Sequence, residues 1–241
     1  MKRIALFSVL FAMFLAMGLT SCNKDTEATA SVTVVMDDEA QSLLKTMKTV
    51  TVDSGYVNII AAELQAKEDG EQKQYTARVR SRVNLNSGAY DNPIEMELMK
   101  GSYTDFKLAL TLDAVNDNPA IIVYGTYYDS EGTAVPFEFV YNDSITIYTA
   151  LDSTYLVDEN DAPIFIAYVA PAKWFKEVST DMLDNATLYD GVIYVSDTSN
   201  VDIYNAVVPL IGKSCALQAQ NRYRWEQMNG MTDETDNDGD N

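Results

Sequence analysis

Tyr75-Thr76-Ala77-Arg78-Val79-Arg80-Ser81-Arg82-Val83-Asn84-Leu85 decides the fold class of this chain. Tyr75, Ala77, Val79, Val83 and Leu85 alternate with Thr76, Arg78, Arg80, Arg82 and Asn84. A period of two puts one set on a buried face and the other in water, which describes a strand and not a helix. The same alternation recurs on both sides. Ile94, Met96 and Leu98 alternate with Glu95 and Glu97, and Phe106, Leu108, Leu110 and Leu112 with Asp105, Lys107, Ala109 and Thr111. Val135, Phe137, Phe139 and Tyr141 alternate with Pro136, Glu138 and Val140, and Ile145 and Ile147 with Ser144, Thr146 and Tyr148. Val32 to Met36, Tyr56 to Ala66, Ile121 to Tyr128 and Ile164 to Val169 read as further strands, the last two buried on both faces. Turn chemistry separates them at Asp69-Gly70, Asn86-Ser87-Gly88, Asn116-Asp117-Asn118-Pro119 and Asp129-Ser130-Glu131-Gly132. About nine strands with hairpin-length links predict a mainly β chain, an antiparallel β-sandwich.

Helical signals are few and lie mostly in the C-terminal part. Asp38 to Lys48 is one short candidate, and Pro171 to Leu183 is another, with proline in its first turn. Tyr204, Val207, Val208 and Ile211 have helical spacing between Asn200, as cap, and Gly212, as stop; Pro209 predicts a kink there.

The chain has 241 residues, 36 acidic and 17 basic side chains, a net charge of −19, two cysteines and no histidine. Without histidine there is no Ser-His-Asp or Cys-His nucleophile system and no histidine-liganded metal. Carboxylates, tyrosines, Ser/Lys pairs and oxygen-bound hard cations remain for chemistry. Phosphate backbones need clustered Lys and Arg, so no nucleic acid partner is expected. Ser42-Leu43-Leu44-Lys45 matches Ser-x-x-Lys, but no Lys-Thr-Gly follows it. Gly212-Lys213-Ser214 lacks the earlier glycine of a phosphate loop, because Val207 stands there.

The N-terminus reads as an address. Lys2 and Arg3 precede an apolar stretch from Ile4 to Leu19, too short for an ordinary membrane span. It runs into Leu19-Thr20-Ser21-Cys22, which resembles a bacterial lipobox. That resemblance implies cleavage after Ser21 and a lipid on Cys22, leaving Cys215 as the only thiol of the mature chain. Loss of the signal, which carries two bases and no acid, deepens the charge to −21. Asn23-Lys24-Asp25-Thr26-Glu27 resembles in part the export signal of surface lipoproteins in Bacteroidota. The expected organisation is a signal over 1–21, a lipidated cysteine and tether over 22–31, one β-sandwich domain over 32–228, and a disordered acidic tail over 229–241.

Gly101-Ser102-Tyr103-Thr104, Ile164-Phe165-Ile166, Trp174-Phe175 and Asn200 followed by Ile203-Tyr204 complete a further likeness. With the lipobox and the hairpins, they resemble a domain-of-unknown-function family of lipid-anchored surface β-sandwich proteins in Bacteroidota. The resemblance implies architecture and an outer-membrane, cell-surface location, and brings no chemistry with it.

Candidate sites follow from the strand pattern. Arg78, Arg80 and Arg82 fall on one face, ~6–7 Å apart by strand geometry. They form either an anion-binding face or a ladder paired with Glu95 and Glu97. Tyr124, Tyr127, Tyr128, Tyr141 and Tyr148 make a candidate aromatic patch for sugar rings, or else ordinary half-buried strand residues. No cofactor is expected. Asp113, Asp117, Asp158 and Asp161 are weak calcium candidates, since Ca2+ takes about six to eight oxygens and Asx turns explain both loops. Asp143-Ser144-Ile145 and Asp152-Ser153-Thr154 resemble O-glycosylation acceptors of Bacteroidota envelope proteins.

These observations favour a non-catalytic, lipid-anchored envelope module that binds or supports a glycan, an envelope protein or a fimbria-like assembly. A carboxylate-only enzyme on polysaccharide and a calcium-stabilised structural domain are the alternatives.

Overall fold

A computed structural model describes residues 27–37, 50–158, 163–213 and 215–228. The signal, Cys22, the helix expected over Asp38 to Lys48, Asp161 and the acidic tail lie outside the described residues.

The chain is mainly β. Its strands are β1 (Glu27–Met36), β2 (Val50–Glu68), β3 (Glu71–Asn84), β4 (Ile94–Met99), β5 (Gly101–Leu112), β6 (Ile121–Tyr128) and β7 (Ala134–Tyr141). They continue with β8 (Ile145–Leu151), β9 (Tyr155–Val157), β10 (Pro163–Val169), β11 (Leu188–Tyr189), β12 (Val192–Val195) and β13 (Cys215–Asn221). Short helices α1 (Thr180–Asp184), α2 (Val201–Val207) and α3 (Arg222–Met228) and 3-10 turns at Pro171–Phe175 and Val208–Leu210 fill the C-terminal part. A four-stranded sheet has the order β13-β10-β1-β4, and a nine-stranded sheet runs β11-β12-β7-β6-β2-β5-β8 with β3 on β2 and β9 on β5. All nine expected strands are present. The four short or Ala/Gln-rich ones, β9, β11, β12 and β13, have no clear alternation and add to that number.

The two sheets face each other as a sandwich. Phe106 of β5 meets Phe165 of β10 with ring centroids 5.3 Å apart, and both are fully buried. β1 and β10 are buried on both faces, because Trp225 of α3 packs on Ile164 and Ile166 from the far side. Each fully buried Leu, Ile or Phe contributes ~1.5–3 kcal/mol relative to exposure.

Most pairs are antiparallel, as expected, but two are parallel: β1 with β10 and β12 with β7. A parallel pair needs a crossover of about a dozen residues or more. Most of the chain separates β1 from β10, and β8 to β11 with the helical segment after β10 separate β7 from β12. β1 also begins at Glu27, so residues 27–31 belong to the sheet and not to a tether. Ala28 and Ala30 are buried there opposite Leu98 and Met96; their small size made the segment look like a linker.

The helix expected over Pro171 to Leu183 is broken in two. Val178 is buried between the pieces, and Ser179 starts a new helix by accepting from the backbone N–H of Met182 at 3.2 Å. Asn200 does precede α2, but at φ 47° and without capping it. Its amide instead donates to the carbonyls of Thr187 and Tyr194 at 3.0 and 2.8 Å, tying the β11–β12 hairpin to α2. Pro209 sits in the tightened turn that ends this segment.

Candidate functional site

β2 organises the nine-stranded sheet. One edge of it carries β3. The other edge carries β6 along Val50–Val57 and β5 along Ile59–Glu68. The sheet therefore divides where β5 turns into β6. That turn is a two-residue hairpin, with Asn116 and Asp117 at φ 50° and 64° and reciprocal 2.9 Å bonds between Val115 and Asn118. Opposite it the ladder slips at Ile59/Ala61 against both β3 and β5, and Ile60 is left without a ladder partner.

This irregularity opens a cleft of about 490 Å3. Ile60 and Val79 line it together with the turn residues Asp113, Ala114, Val115 and Asn116, and Arg78 and Arg80 stand at its rim. Both arginines are exposed. Among the described residues neither has a side-chain hydrogen bond or an ion pair. Asp113 turns its carboxylate back onto the N–H of Ala114 at 2.8 Å.

Arg82 shares the same face but not the same site. Its guanidinium lies 4.3 Å above the Tyr56 ring and donates to Asn118 Oδ1 at 3.2 Å. The expected pairing of the arginines with Glu95 and Glu97 does not occur. Those residues are on β4, in the other sheet, where Glu97 accepts from Thr29 at 3.1 Å and Glu95 meets Arg222 at 3.5 Å.

The five tyrosines do not form a patch. Tyr127 and Tyr141 point into the core. Tyr127 donates to Asp184 Oδ1 at 2.6 Å, and Tyr141 stacks on Tyr204 at 6.2 Å. Tyr124 is half-buried in a cross-strand row with Glu138 and Tyr194. Only Tyr128 and Tyr148 stand out, at 51% and 72% exposure, on strands separated by β2 and β5.

The core tyrosines predict an alkaline limit for the fold. Burial first, then the Asp184 carboxylate, pushes Tyr127 up to about 12; burial first, then Asp143, does the same to Tyr204, to about 12. A raised phenol stabilises the fold fully below its unfolded value of about 10. That contribution is lost as pH rises through the folded value. The melting temperature is therefore expected to fall between about pH 10 and 12. Tyr127→Phe should flatten the fall; an unchanged profile would refute the assignment.

Asp113 precedes the turn and Asp117 is one of its two central residues, whereas Asp158 follows β9 and Asp161 lies outside the described residues. Among the described residues no three Asp, Glu or Cys side chains converge as a metal site would require.

A second cleft, also about 490 Å3, lies on the same outer face between β2, β5 and β8. Sequence reasoning missed it. Glu63, Gln65, Lys107, Ala109, Tyr148 and Ala150 line it, with Cys215 at its edge. The Cys215 thiol is half-buried and unpaired, and burial pushes it up to about 11 against the lowering effect of Thr149. It is not an activated nucleophile.

Comparison with family models, with curated proteins and with solved structures gives no match for this chain. No described helix is long and apolar enough to cross a membrane.

Proposed function

We propose that this chain is a lipid-anchored, non-catalytic binding module of the cell envelope, and that it takes an anionic ligand between Arg78 and Arg80. One observation carries the reading: two exposed guanidinium groups, without ion pairs among the described residues, line one cleft. In a chain with 36 acids and 17 bases, a free arginine has many carboxylates available to it. Two neighbouring ones left unpaired among the described residues keep their forked donors open for a carboxylate or sulfate group. The cleft supplies no carboxylate pair poised for acid–base work, since the Asp113 carboxylate is turned into its own loop. The anchor reading rests on Leu19-Thr20-Ser21-Cys22.

Titration of the purified chain with a uronic acid and with a sulfated monosaccharide tests the site. Each lost charge-assisted contact is worth ~1.5–3 kcal/mol, so Arg78→Ala with Arg80→Ala is expected to weaken binding at least tenfold. The melting temperature should not move, because both side chains are exposed. Unchanged affinity in the double variant would remove the reading. Cys22→Ser should release the protein from the membrane fraction, and retention there would remove the anchor.

A further inference from the structure

The two clefts on the outer face are neighbours. Ala61 and Glu63 are successive outward positions of β2; Arg78 stands across from Ala61, and Ala109 and then Tyr148 stand across from Glu63. The next outward row runs Gln65, Lys107, Ala150. Side chains along the connection are small: Ala61, Thr111 and Ala109 leave the backbone nearly bare between the arginine cleft and Tyr148. With strands about 4.8 Å apart and about 6.7 Å between outward residues, Arg78 lies roughly 16 Å from both Lys107 and Tyr148.

We infer that this face is one extended track for an acidic polysaccharide, with anionic groups at Arg78–Arg80 and at Lys107 and a sugar ring stacked on Tyr148. The inference rests on the arginine reading and names its ligand. Lys107 is exposed and has no ion pair among the described residues, so the track has a free cation at each end. Tyr148 is 72% exposed and lines the second cleft beside Ala109 and Ala150. A pyranose presents an apolar C–H face to such a ring and hydroxyls around its rim. Glu63 sits mid-track; one of its oxygens accepts from Gln65 Nε2 at 2.7 Å, and the other is open. A carboxylate there needs a hydrogen-bond donor. Hydroxyl groups supply it, whereas the closely spaced phosphates of a nucleic acid strand would be repelled. The separation of the charges demands a ligand several rings long, because a small anion reaches only one end.

The test compares a uronic-acid monosaccharide, an acidic octasaccharide of the same unit, a neutral octasaccharide and an oligothymidylate on the full chain. The acidic octasaccharide should bind at least tenfold tighter than the monosaccharide. Tyr148→Ala should erase most of that gain and leave monosaccharide affinity unchanged, Tyr148→Phe should retain it, and Lys107→Gln should lower octasaccharide affinity several-fold. Equal affinity for monosaccharide and octasaccharide, or an octasaccharide indifferent to Tyr148→Ala, overturns the track but leaves the arginine site standing. Monosaccharide binding that survives Arg78→Ala with Arg80→Ala overturns the arginine site itself. Oligothymidylate binding as tight as the acidic octasaccharide overturns the glycan assignment.

Discussion

Gly125→Ala should be among the most damaging single changes in this protein, although it adds only one methyl group. Gly125 lies on β6 opposite Val52 of β2 and Phe137 of β7. A Cβ there would sit 2.1 Å from the carbonyl oxygen of Thr51 and 2.1 Å from Cε1 of Phe137. The ring could turn, but it already packs edge-on against Phe175 at 5.0 Å, and the carbonyl is backbone and cannot rotate away. Relief therefore requires β2 and β6 to separate. Because β2 also carries β3 and β5, that movement spreads through the nine-stranded sheet. Ordinary overpacking costs ~1–3 kcal/mol. A backbone clash of this depth should exceed that range and consume much of a total stability of ~5–15 kcal/mol. Urea denaturation followed by circular dichroism measures it. Gly70→Ala is the control, since Gly70 has open space around it but a φ of +89°, and should cost only ~1–2 kcal/mol of left-handed strain. A Gly125→Ala midpoint as high as that of Gly70→Ala would show that the β2–β6 edge is softer than its geometry implies.

The fold class was legible wherever one face of a strand meets water. β3, β4, β5, β7 and β8 each alternate, and each lies where the alternation places it. β10 was legible for the opposite reason, as a short run buried on both faces. The strands without alternation were not. In β13, Cys215-Ala-Leu-Gln-Ala-Gln-Asn221, only Leu217 is buried; the segment is extended because it completes the edge of β10, which its own composition does not announce. Asp53-Ser54-Gly55 hid the first third of β2, since polar residues and glycine mark a turn in a sequence but a bulge within a paired strand. The two parallel pairs depend on which distant segments meet, and periodicity has no access to that.

The site was legible by face and illegible by partner. Alternation correctly put Arg78, Arg80 and Arg82 on one surface, but it could not say that Glu95 and Glu97 belong to the opposite sheet. For the tyrosines the parity was available. Tyr124 and Tyr128 differ by an even number and share a face, whereas Tyr127 falls on the other and had to be core. Tyr141 shares its parity with Phe137 and Phe139. Grouping them by closeness in sequence discarded that information. The second cleft left a signal too: Ala61, Ala109 and Ala150 occupy outward positions, where strands usually carry long polar side chains.

Trp174 gives the other large effect, and its two variants separate two physical contributions. It is fully buried, with 0% exposure, in the Pro171–Phe175 turn that packs on β2. Truncation to alanine empties a large volume that neighbouring aromatic rings cannot refill. Phe175 is held edge-on to both Phe137 and Phe139, at 5.0 and 5.9 Å. Trp→Ala changes of this kind cost ~3–5 kcal/mol. Trp174→Phe should behave differently from its loss of volume. The indole Nε1 is buried and has no hydrogen-bond partner among the described residues, and an orphaned buried donor costs ~1–3 kcal/mol. Phenylalanine removes that penalty while keeping most of the ring, so its net cost should be about half that of alanine or less. Equal destabilisation by the two variants would mean that the indole N–H is satisfied in solution. The consequence is also local. This turn begins the crossover that returns the chain to β7 as the parallel strand β12. Amide exchange in Trp174→Ala should therefore rise first in β11 and β12, at the sheet edge farthest from the arginine cleft, before β2 and β5 respond.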